Sequence, residues 1–280
     1  MPEAREACVD ARVQLKLFGL LAVLLIGAAY VPILRAGSLG ALGGMSLVLV
    51  MWAPGIAGML ARLFVTGSLK GMGWRLRTAP LLGLALVLPL LYCLPVYGPV
   101  WLSHLAGFDT AGWEEATGTS EPVAALGTLL TIGMAWSLFT AAGEEIGWRG
   151  LLVPQLARIM DFKRVWAISG AIWLAYHVPL IIAADYHADG SPRLWQLLCF
   201  ALLVAGMSGI MAWLRLASDS LWPPVFLHAS HNLIVQAIFD GAVLPGPYSP
   251  WITGEFGVGL AVTIGLCAWF LTSRNPSPGT

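Results

Sequence analysis

The sequence predicts an all-α, polytopic transmembrane helix bundle of about eight spans with both termini cytoplasmic. Three observations carry that expectation. Hydrophobic residues make up 58% of the chain and charged residues 11%, with a mean hydropathy of +0.78; a soluble domain carries about twice that charged fraction. The apolar residues fall in runs of roughly 20, which at about 1.5 Å per residue cross a hydrocarbon layer of ~30 Å. Finally, the basic residues collect on one side of the spans so defined.

Taken in order, the spans are 17–34, 39–60, 79–102, 123–142, 165–182, 195–214, 221–239 and 256–271. All must be helical, because a lipid-facing segment can satisfy its own backbone groups only that way. The first follows 16 residues that mix three bases with three acids, and its apolar run is too long for a signal peptide, so it reads as a retained span. Pro89, Pro95 and Pro99 predict a kink in the third. The fourth carries no charge until Gly143-Glu144-Glu145-Ile146-Gly147-Trp148-Arg149. After it, 151–160 either continues that helix or lies along the interface. Small-residue spacings, Gly40 with Gly43 and Gly55 with Gly58, suit close helix packing. The longest polar connector is 103–122, so the reading is one membrane domain, 1–280, with a chemical core at about 123–239.

Orientation follows from charge. With the N-terminus inside, the cytoplasmic segments hold 13 bases, from Arg5 through Arg149 and Arg215 to Arg274, against Arg35 and Arg193 outside. The acidic stretch with Asp109, Glu114, Glu115 and Glu121 falls outside. Net charge is zero, which argues against a nucleic-acid partner. Four cysteines without CxxC spacing read as unpaired thiols.

An ionisable group near a span centre costs ~2.5–3.5 kcal/mol on insertion scales, so Glu144, Glu145 and Arg149 mark a candidate site. Glu145 and Arg149 are four apart and can pair on one helical face, while Glu144 points about 100° away, toward the face of Trp148. A structural ion pair at a helix end is the competing reading. His177 lies four residues after Trp173 in the fifth span. His228 and Asn232 share a face of the seventh, with His231 nearby. A lone histidine or asparagine in a span is ordinarily interhelical glue. Three helices carrying such groups point instead to convergence on one water-accessible cavity, expected to open on the cytoplasmic side.

Glu144-Glu145-x-x-x-Arg149, then aromatic-x-x-x-His in Trp173 to His177, then His228-x-x-x-Asn232, resembles the ordered motif set of the CPBP family. These are the CAAX protease and bacteriocin-processing membrane enzymes, also called Abi, related to the Ras-converting CAAX prenyl endopeptidase. The family more often has Phe where Trp173 stands. The resemblance implies an intramembrane endopeptidase in which Glu144 activates water and His228 helps it. His177 and Asn232 would stabilise the oxyanion, with Glu145 and Arg149 in support. It implies no cofactor. Zinc on His177, His228 and Glu144 is the alternative, weakened by the absence of an HExxH signature. A non-proteolytic scaffold or immunity protein, or a proton-coupled transporter, are the rival functions. The implied partners are the lipid bilayer and a peptide or protein substrate, membrane-tethered and lipidated chains included. Arginine outnumbers lysine 12 to 3, which suits a bacterial inner-membrane protein.

Overall fold

The computed structural model describes residues 2–76 and 79–273, with side chains from Asp10 onward. It is a helix bundle of a multi-pass membrane protein. Helices α1 (Pro2–Ala36), α2 (Met45–Thr66) and α3 (Ala79–Leu102) come first, α1 and α2 packing along each other. Strand β1 (Gly107–Phe108) and a short α4 (Ala111–Thr117) form the long connector. Helix α5 (Pro122–Ala157) is one rod built of α segments interrupted by π segments at Leu129–Gly133 and Ile146–Leu152. Residues 151–160 therefore extend the fourth helix as far as Ala157. Next come α6 (Phe162–Ala183) and α7 (Arg193–Ser218). Helix α8 (222–239) is an α segment, Trp222–His231, followed by a π segment, Asn232–Phe239. Strand β2 (Val243–Leu244), a single turn α9 (Ser249–Ile252) and α10 (Val258–Thr272) complete the chain.

Six helices among the described residues are long and apolar enough to span a membrane; α10 is shorter, and α8 is divided by its π segment. Large apolar side chains such as Val23, Val87, Ile132, Leu202 and Phe270 face outward, as lipid contact requires. Pro89, Pro95 and Pro99 all lie inside α3.

Small residues set where α2 meets α5. A Cβ on Gly55 would stand 2.4 Å from the Gly143 carbonyl oxygen, and one on Gly147 would stand 2.4 Å from that of Pro54. The expectation for Gly40 and Gly43 does not hold. No other helix approaches them; Gly43 instead has a φ of 63° in the turn before α2.

The connectors form two laced rims. On one, Leu221 N–H donates to Gly73 O at 2.8 Å, Ser220 Oγ to Arg75 O at 2.8 Å and Trp222 Nε1 to Trp74 O at 2.8 Å. On the other, Ser38 Oγ and Leu39 N–H donate to Asp185 at 2.7 Å each, and β1 pairs antiparallel with β2. There too, Trp113 Nε1 donates to Ile238 O at 2.8 Å.

Candidate active site

Glu144, Glu145 and Arg149 are 2%, 0% and 1% exposed, deep inside the bundle on α5. Arg149, counted in the sequence among cytoplasmic bases, is thus no connector residue, and among the described residues ten bases remain on that rim.

Glu144 lies in a cradle of aromatic donors. Trp173 Nε1 donates to its Oε2 at 2.9 Å, and Trp148 Nε1, one turn along α5, reaches the same oxygen at 3.3 Å. The Tyr176 hydroxyl lies 3.4 Å from Oε1 and 3.2 Å from the Val50 carbonyl, so one proton serves two acceptors. Tyr30 donates its hydroxyl to the Tyr176 carbonyl and braces that turn of α6.

Glu145 takes Arg149 Nη1 at 2.9 Å, as the spacing predicted. It also accepts from His228 Nδ1 at 2.9 Å on the same oxygen. Glu145 thus meets a histidine as well as Arg149. Helix α8 packs directly against α5 and brings His228 to the Glu145 face, so Arg149 shares that carboxylate with an imidazole. The guanidinium also stacks 4.5 Å above the Trp173 ring, and Arg215 Nε donates to the Arg149 carbonyl at 2.9 Å.

His177 Nδ1 lies 2.8 Å from the Trp173 carbonyl oxygen. A carbonyl can only accept, so Nδ1 carries the proton and the neutral ring leaves Nε2 as an acceptor. His177, His228, Asn232 and Glu144 all line one cavity of ≈ 440 Å³. Its wall also includes Leu39, Ala116, Tyr186, Gln236 and Glu255. These belong to the rim that carries Asp185 and the β1–β2 pair. The cavity thus reaches the rim opposite the basic one, whereas the sequence reading expected it to open on the basic side.

A second polar group lies on this wall, of which the sequence reading named only His231. His231 Nε2 lies 2.9 Å from Glu255 Oε1 and its Nδ1 lies 2.6 Å from the Tyr92 hydroxyl. Tyr186 and Gln236 donate to Glu255 Oε2 at 2.7 and 3.1 Å. Burial alone would push the Glu255 carboxyl up, but the bonds from His231 and Tyr186 hold it below its ordinary value. Asp240, just past the end of α8, accepts from Tyr97 at 2.5 Å, and burial raises its carboxyl to about 7. The only sequence signal for Glu255 was one acid standing at the start of an apolar run.

No group of three or more His, Cys, Asp or Glu side chains among the described residues comes together as a metal-ligand set.

A family model described as Rce1-like, type II CAAX prenyl endopeptidase Rce1-like, matches residues 126–234. The match covers 109 of the 280 residues and supports the Rce1-related CPBP family for this segment. The Rce1-like segment holds Glu144, Glu145, Arg149, Trp173, His177, His228 and Asn232, while Gln236, Asp240 and Glu255 lie outside it. No curated protein matches the chain.

Proposed function

We propose that the protein is an intramembrane endopeptidase in which Glu144 activates water to cleave a peptide bond. The observation that carries this reading is a carboxylate buried in the Rce1-like core, held by indole N–H donors and facing a cavity shared with His177, His228 and Asn232. Glu144 takes the proton of the attacking water as its oxygen bonds to the substrate carbonyl carbon. The C–N bond then breaks and the amine leaves with that proton.

The His177 tautomer favours exchanging the roles that the family resemblance implies for the two histidines. With Nδ1–H committed to the Trp173 carbonyl, His177 Nε2 accepts and so orients the water beside Glu144. His228, with Nδ1 on Glu145, offers Nε2–H when it is an imidazolium offset by that carboxylate, and joins the Asn232 amide as oxyanion donor. The mostly apolar wall, including Leu47, Val50, Met51, Leu129 and Phe200, suits a membrane-tethered or lipidated peptide. Prenylated C-termini are what the family's description names, and they form one arm of the test.

The decisive experiment incubates the reconstituted protein with a fluorogenic peptide library, prenylated and unprenylated. Glu144→Gln keeps the shape of the side chain and is expected to abolish cleavage while thermal stability holds. Glu145→Gln leaves Arg149 buried and uncompensated and is expected to cost about 3–5 kcal/mol of stability. Wild-type membranes that cleave nothing in the library, or an active Glu144→Gln, would return the protein to the scaffold or transporter readings.

A further inference from the structure

We propose that the cavity is entered from the non-cytoplasmic side of the membrane, so that its substrate is presented there. Two independent observations converge on this. The first is which rim the cavity reaches. Its wall includes Leu39 of the turn before α2, Ala116 of α4, Tyr186 after α6 and Glu255 before α10, all on the rim that carries Asp185 and the β1–β2 pair. Along α6, His177 is six residues from Ala183, about 9 Å, but 15 residues from Phe162, about 22 Å. No residue of the connectors 67–76 or 219–221 lines it.

The far end is closed. Arg149 lies over Trp173, its carbonyl accepts from Arg215 Nε, and Arg215 Nη1 reaches Asp219 at 3.2 Å. A Cβ on Gly73 would stand 2.7 Å from Leu221 N and 3.1 Å from the Arg215 guanidinium carbon, so little space remains there.

The second observation is the charge of the rims. Among the described residues, the closed rim carries ten bases with five acids, and the open rim carries eight acids with only Arg35 and Arg193. Connectors rich in Lys and Arg stay in the cytoplasm. The Lys/Arg bias thus sends the closed rim inward and the mouth outward. The side of entry rests on this geometry alone; only the statement about substrate rests on the peptidase reading.

The test compares right-side-out with inverted membrane vesicles, treated with a small, charged, membrane-impermeant methanethiosulfonate. Three single substitutions report position. Glu115→Cys marks the open rim, Lys163→Cys the basic rim and Ser137→Cys the cavity wall about two helical turns from Glu144. The parent chain, with its own four cysteines, sets the blank, and labelling in detergent confirms that each thiol can react.

The expected result is reaction of Glu115→Cys and Ser137→Cys in right-side-out vesicles only, and of Lys163→Cys in inverted vesicles only. Ser137→Cys reacting together with Lys163→Cys overturns the proposal, as does Ser137→Cys silent in both preparations. A second arm offers the fluorogenic peptide library to both preparations. Cleavage confined to right-side-out vesicles and lost in Glu144→Gln is expected; cleavage confined to inverted vesicles overturns the outward mouth. Absence of cleavage in both, with the expected labelling, rejects the peptidase reading and leaves the side of entry established.

Discussion

Trp173 meets the site through three of its parts. Its indole N–H holds Glu144, its ring lies beneath Arg149 and its carbonyl fixes the His177 tautomer. Phe would keep the ring and the carbonyl and lose only the N–H. Trp173→Phe is therefore expected to lower kcat about tenfold or more with little change in KM, since a hydrogen bond to a charged group contributes about 1.5–3 kcal/mol. Steady-state kinetics on the reconstituted protein decides it, and an unchanged kcat would make the indole a packing residue. In the sequence this residue reads as an aromatic filler, because an N–H donor acquires meaning only when α6 delivers it to α5. The pairing of Glu145 with Arg149 was legible, being local and four residues apart. Its contact with His228, 83 residues away, was not, because nothing in either helix alone records how the two pack.

Among the elements, α5 is interrupted twice by π segments. Its π segment Ile146–Leu152 begins immediately after the two glutamates, where Gly55, Gly143 and Gly147 let α2 and α5 touch backbone to backbone. Wide turns of this kind recur at functional sites. Gly147→Ala would drive a methyl group against the Pro54 carbonyl, and neither backbone can yield without moving Glu144. The expected cost is about 1–3 kcal/mol, read as a lower unfolding temperature in detergent. An unaltered melting curve would mean that the helices separate freely there. Hydrophobic runs made the spans readable, including the 222–239 helix. The π segments were not readable, since a single added residue per turn leaves composition and length untouched. Gly40 and Gly43 illustrate the opposite error: their spacing resembled a packing motif but belongs to a turn.

For the molecule as a whole, charge asymmetry was legible from the order of residues along the chain, and the location of the mouth was not. The mouth depends on which loops leave space between them, and connector sequences such as 184–192 and 245–257 do not encode that locally. The donor arrangement also bears on metal. His177 and His228 both place Nδ1 inside the protein, on Trp173 and Glu145, an orientation that zinc-ligating histidines share, so the expectation of a metal-free site rests on the missing zinc-type spacing. Activity is expected to survive exhaustive chelation, and the purified protein to carry less than one zinc per chain by elemental analysis. Stoichiometric zinc lost on replacing His177 or His228 would instead make Glu144 a ligand.

The laced connectors beneath Arg149 and Arg215 make the cavity a cul-de-sac. On the peptidase reading, cleaved halves leave by the opening through which intact chain enters, so turnover is expected to slow as fragments accumulate and short peptide products to act as competitive inhibitors. A cul-de-sac of ≈ 440 Å³ holds a short extended stretch, not a folded domain. A polypeptide cannot be threaded through it and clipped repeatedly, so each encounter ends after one cut.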